Sequence, residues 1–238
     1  MKQTIKIALL VTFMGIGLLS CSKSKDDIID VENSTFTGPN PNPASLTVRV
    51  IYLVPSDKAL KKSYIDAVGS CINQLNSWYK TTLGSNKTFR TNGNMLVETI
   101  QSSHPAAWFN QQNGNTGDAS FYFYGNAKSD TKALLGAGYD ESKYIYLVYV
   151  DASGTTGAGA IGFTAMPEND LKGLTSQMSE PVSRWIGGAG HELGHAFGLP
   201  HPANENPQAL MWTGYTIYPN CILQDADKMI LNANKFFY

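Results

Sequence analysis

Residues 191–201, His191-Glu192-Leu193-Gly194-His195-Ala196-Phe197-Gly198-Leu199-Pro200-His201, constrain this chain more than any other stretch. Residues four apart on a helix lie one turn apart on one face. His191 and His195 can therefore aim two imidazoles at one point, with Glu192 beside them. Gly198 allows a left-handed turn that stops the helix, and Pro200 argues that it has ended. The chain can then swing back and deliver His201 to the same point. The sequence holds 4 His, and all but one of them stand in this stretch. Three neutral imidazoles form a ligand set for Zn²⁺ that leaves the fourth tetrahedral position open to water, whereas closed structural sites are usually thiolate-rich. Zinc lowers the pKa of bound water toward about 7, and Glu192 is placed to take its proton.

The rest of the chain supplies a domain to carry such a helix. With 238 residues, 42% of them hydrophobic and 16% charged, the chain can bury one sizeable core, which excludes a disordered polymer. A net charge of −1 gives no electrostatic reason to bind nucleic acid. Residues 46–54 alternate and are β-branched, which predicts a strand ended by Pro55. Ser56 or Asp57 is placed to cap a helix whose apolar positions run from Leu60 to Trp78 at helical spacing, with Gly84 closing it. A second strand is expected over 95–100, a helix over about 128–135, and a strand over 144–150 apolar enough to be covered on both faces. The Gly-rich stretch 154–162 leads into a short edge strand. It is no phosphate loop, because no Lys-Ser or Lys-Thr pair closes it. Ser179-Glu180-Pro181 opens the helix that carries the histidines. This order predicts a three-layer α/β domain with a mixed sheet. Trp78, Trp108 and Trp185 are read as core packing and His104 as surface. Cys71 and Cys221 are either bridged or two small buried hydrophobes.

The first residues read as an address. Lys2 and Lys6 precede an apolar run over 7–19, which suits a secretion signal over 1–20 better than a membrane span. Leu18-Leu19-Ser20-Cys21 resembles a bacterial lipobox, which makes Cys21 the candidate lipidation site and the lipid a membrane anchor. Residues 21–45, rich in Pro and Asn, are expected to be a flexible tether, with the folded domain over 46–238. Asp26, Asp27 and Asp30 are read as solvated charges of that tether rather than as groups that block the metal. The expected location is the bacterial cell envelope, lipid-anchored at the outer membrane and exposed outward.

The extended His motif resembles that of the metzincin metallopeptidases and matches it at every defined position. Ala209-Leu210-Met211-Trp212 is similar in kind and place to the Met-containing turn of that family, which makes Met211 an apolar floor under the imidazoles. The resemblance implies an α/β (α+β) fold with a mixed twisted sheet, one antiparallel edge strand over 159–166, a backing helix and an active-site helix. It divides the domain into an upper part, 46–198, and a small C-terminal part, 199–238. It further implies one catalytic Zn²⁺ on His191, His195 and His201, with Glu192 as the catalytic residue and a peptide or protein as substrate. Some relatives place a Tyr two residues after the Met. That position here is Thr213, so Tyr215 or Tyr218 is left as a substitute, with Tyr215 preferred as a transition-state stabiliser. The expected activity is that of a zinc endopeptidase acting as a monomer. The alternative is a catalytically inert surface lipoprotein that uses the same scaffold for binding or adhesion.

Overall fold

The computed structural model describes residues 34–238. The 1–20 leader, Cys21, Asp26, Asp27 and Asp30 lie outside the described residues. Five helices and six strands follow one another as β1 (Thr47–Val54), α1 (Lys62–Leu83), β2 (Arg90–Thr91), β3 (Val97–Gln101), α2 (Tyr122–Leu135), β4 (Tyr144–Val150), β5 (Ala158–Ala160), β6 (Phe163–Met166), α3 (Glu168–Leu174), α4 (Val182–Ala196) and α5 (Asp225–Ala233). One sheet runs β2-β1-β4-β6-β5, with β3 also paired to β1. Every pairing is parallel except that of β5 with β6. Parallel neighbours need long crossovers; α1 and α2 supply them between β1 and β4, and residues 151–162, which include β5, connect β4 to β6. Among the described residues no helix is long and apolar enough to cross a membrane.

Strand alternation builds two cores from one sheet. Val48, Val50, Tyr52 and Val54 of β1, with Ile145, Leu147 and Tyr149 of β4, face α1 and α4. Ile51 and Leu53, with Tyr144, Tyr146, Val148 and Val150, face α2. Both faces are covered, which explains the continuous apolar run over 144–150. The α2 face also holds a buried ion pair, in which the Arg49 guanidinium donates to both Glu98 oxygens at 2.8 and 2.5 Å.

Several boundaries differ from the sequence reading. The helix α1 begins at Lys62 without a side-chain cap, because Asp57 is engaged elsewhere and accepts from the Ala106 backbone N–H at 2.8 Å. The second helix starts at Tyr122, well before the expected 128. Residues 159–166 are not one edge strand. A turn at Ile161-Gly162 folds them into the β5–β6 hairpin, with β6 parallel to β4 and β5 alone antiparallel at the edge. Pro181 stands at the cap of α4, one position before the expected first turn. The last part of the supposed tether is ordered against the sheet. Thr37 exchanges backbone and hydroxyl hydrogen bonds with Thr99, and the Asn40 N–H donates to Glu98 at 2.8 Å. Cys71 and Cys221 are both buried and free, and the Cys71 Sγ lies 3.5 Å from the Tyr149 hydroxyl.

Candidate metal centre

The helix α4 carries the first two histidines where its spacing places them. Gly194 lies between them in sequence, on the face turned to Met211. A Cβ there would come 2.4 Å from the Met211 sulfur, so only glycine allows this approach. Met211 itself is fully buried. Gly198 has φ 95°, the left-handed conformation expected of the residue that stops the helix. The returning chain then brings His201 to the other two rings.

The three Nε2 atoms lie 3.2, 3.1 and 3.3 Å apart. The contact between His191 and His195 is not a hydrogen bond between rings. The Nδ1 of His191 faces the Leu210 carbonyl at 2.7 Å, and that of His195 faces the Leu199 carbonyl at 2.8 Å. A carbonyl only accepts, so each Nδ1 carries the proton and each Nε2 presents a lone pair. Lone pairs converging this closely repel unless a cation lies among them. A tetrahedral ion with Zn–N bonds of about 2.0–2.1 Å keeps its ligand atoms about 3.3 Å apart, so the cluster fits zinc. Burial also holds His191 neutral by pushing its pKa down to about 4. His195 is lowered for the same main reason. His201 is exposed and lies edge-on to Trp212, with ring centroids 5.8 Å apart.

Glu192 lies half-buried beside this cluster. Burial, with Asp170 adding like charge, pushes its carboxyl up to about 8, while the Gly159 backbone N–H opposes the shift. The hairpin packs on α4 at this point, and a Cβ on Gly159 would come 2.1 Å from the Glu192 carbonyl oxygen. The Gly-rich stretch thus lets the edge strand lie flat against the helix. Tyr215 stands near His191 with ring centroids 5.3 Å apart. Tyr218 is buried against Trp78 instead, 5.9 Å between centroids.

A cavity of about 220 Å³ opens beside His191 and Glu192 and reaches Asp170, Arg184, Trp185 and Tyr215. The sequence reading missed Asp170 and Arg184 and took Trp185 for core alone. Arg184 had a legible signal, since it lies on the face of α4 shared by Gly188, His191, Glu192 and His195. The orienting carbonyls of Leu199 and Leu210 had none, because a backbone acceptor leaves no trace in residue identity.

No family model matches the chain, and no curated protein matches it in sequence. Its fold is similar to that of OgpA from Akkermansia muciniphila, solved as wild type and as a catalytically inactive form in complex with an O-glycopeptide substrate. The TM-score is 0.60 and the identity 18% in both. The match to the complex covers 84% of this chain and 63% of OgpA, and the match to the wild type covers 87% and 65%. This chain thus spans less than two thirds of the OgpA length. Archaemetzincin from Methanopyrus kandleri matches at a TM-score of 0.42 and 14% identity, over 78% of this chain and 94% of its own.

Proposed function

We propose that this chain is a zinc-dependent endopeptidase. The observation that carries the reading is the convergence of three Nε2 atoms, 3.1–3.3 Å apart, beside the half-buried Glu192. His191, His195 and His201 would hold the ion. When bound, zinc supplies a Lewis acid that polarises a carbonyl and acidifies water. Glu192 takes the proton of the attacking water on a carboxylate oxygen and passes it to the leaving amine nitrogen. β5 is the edge strand of the sheet, where an extended peptide would add as a further strand. Tyr215 is the candidate stabiliser of the oxyanion. Of the complex formed by OgpA, only the peptide part is carried over to this reading.

The test is direct. The zinc-loaded protein is expected to hold close to one zinc per chain and to cleave a peptide library, with chelation abolishing cleavage. Glu192→Gln is expected to keep the zinc and lower kcat by about 10²–10⁴, the usual contribution of a general acid–base group. A variant that cleaves as fast as the parent would sink the mechanism. A zinc-loaded parent that leaves every peptide intact would favour the inert binding module. The reading also keeps a leader over 1–20, a tether, and a lipid on Cys21 that holds the domain at the cell envelope. Radiolabelled palmitate is expected to enter the parent and not Cys21→Ser, and labelling of both would remove the anchor from the proposal.

A further inference from the structure

The cavity beside the metal centre holds a cation without a counter-ion. Arg184 lines it and lies over two rings, 4.6 Å from the Trp185 centroid and 5.1 Å from that of Tyr215. Such contacts hold a guanidinium without consuming its N–H donors. No hydrogen bond or ion pair engages those donors among the described residues. Asp170 is buried on the same wall but is not the missing partner. It accepts from its own backbone N–H, and burial pushes its carboxyl up to about 7, with Arg184 opposing. A carboxyl in a close ion pair would instead be held below its usual range. Below about pH 7 Asp170 therefore carries a proton and stands as a donor beside the guanidinium.

Three kinds of group could enter. An apolar side chain would strip water from these donors and return no hydrogen bond. A neutral polar group would offer an acceptor but leave the cation uncompensated among the walls of Trp185, Tyr215 and Met166. A carboxylate supplies both acceptor and charge. Its two oxygens match the fork of the guanidinium, and a charge-assisted hydrogen bond is about twice as strong as a neutral one. The cavity volume of about 220 Å³ admits a carboxylate with the chain that carries it.

Position ties the cavity to the reaction. Arg184 precedes His191 by two helical turns, about 10 Å along the axis. Its Nη1 reaches forward over Gly188, where an added Cβ would come 3.0 Å from it. The guanidinium thus stands about one turn, roughly 5 Å, from the level of His191 and Glu192. Each residue of extended chain spans about 3.3–3.6 Å. A carboxylate on the residue next to the scissile bond covers that distance, and so does a chain end one or two residues beyond the bond.

We propose that this pocket binds a carboxylate of the substrate, with Arg184 as the specificity-determining residue, and so selects which bond is cut. The inference rests on the peptidase reading above for the reaction itself. The carboxylate has two possible sources, an Asp or Glu side chain or the free C-terminus of the peptide, and the arms of the test separate them.

The test uses the zinc-loaded full chain and peptides of one sequence. In the first set the central residue is Glu, Asp, Gln or Asn and the peptide is long, with an amidated end. In the second set the peptide stops one, two or three residues after a central Gln and ends as the free acid or as the amide. A Glu or Asp peptide is expected to be cut next to that residue with kcat/KM about 10- to 100-fold above its Gln or Asn counterpart, or a free acid is expected to exceed its amide by the same factor. That is the scale of one or two charge-assisted hydrogen bonds. The first result names a side chain as the source, the second a chain end. Arg184→Met is expected to bring the ratio close to one while thermal unfolding and zinc content stay those of the parent. Binding gives a second readout without turnover. Glu192→Gln is expected to bind the favoured peptide more tightly than its neutral counterpart, and adding Arg184→Met is expected to erase the difference. Equal cleavage and equal binding of charged and neutral peptides, or a preference for the neutral ones, overturn the pocket and leave the peptidase reading standing. A carboxylate preference that survives Arg184→Met also overturns it, because another group then reads the charge. Tighter binding of the carboxylate peptide with no cleavage of any peptide upholds the pocket and removes the peptidase reading.

Discussion

Two of the three histidines and the third are held in different ways. His191 and His195 stand on a helix with packed walls, and each Nδ1 is fixed by a carbonyl from the returning chain. His201 comes from that returning chain, is exposed, and has no acceptor for its Nδ1 among the described residues. The helical pair is therefore preorganised, whereas the third ring must give up more conformational freedom to join it. The difference teaches that a three-histidine cluster can be rigid on one side and adjustable on the other, although its three Nε2 atoms are nearly equidistant.

Removing ligands one at a time breaks or sharpens this comparison most strongly. His191→Ala is expected to weaken zinc binding by well over the roughly 10–100-fold that loss of an outer-shell partner costs. His201→Ala is expected to weaken it less. Competition titration with a zinc-sensitive chelator measures both, and the reverse order would show that the exposed ring is the anchor.

The packing beneath the helical pair comes next. Met211→Ala empties a fully buried position beneath Gly194 and is expected to lower unfolding stability by about 2–5 kcal/mol. Met211→Leu conserves volume and is expected to cost under about 1.5 kcal/mol. Urea unfolding of the metal-free proteins tests both, and equal losses would mean that the sulfur rather than the volume matters at this position.

The last prediction concerns the wall of the cavity that holds Asp170 and Arg184. Burial pushes the Asp170 carboxyl up to about 7, with Arg184 opposing. Between about pH 4 and pH 7 the folded protein then holds a proton at this site that the unfolded chain releases. Stability from this group is present below about pH 4 and is lost as pH rises through about 7. Asp170→Asn removes that slope. The unfolding midpoint of metal-free Asp170→Asn, relative to the parent, is expected to rise from pH 4 to pH 7. A constant difference would place the carboxyl in solvent rather than in the wall.

What was legible in the chain was periodic or local. The spacing of His191 and His195 implied one face, Gly198 implied an end, and the run over 144–150 implied a strand covered twice. Each follows from a short-range rule, and each agrees with the structure. The edge strand was read less well, because Ala158 to Met166 has too few large side chains to mark where a hairpin turns. The cap of α1 was misplaced because Asp57 had a rival backbone partner some fifty residues away. Tyr215 was preferred to Tyr218 in the sequence, but only the fold shows which of them turns toward His191.

By itself, the sequence determined the candidate ligand types, their order, and the helix that holds two of them, because those depend on residue identity and helical pitch. Only the tertiary structure decided which carbonyls orient the imidazoles, which tyrosine stands by His191, and that Asp170 and Arg184 share a cavity with Glu192. These are contacts between segments distant along the chain. Their free energy depends on what the intervening core brings together, and no local pattern records it.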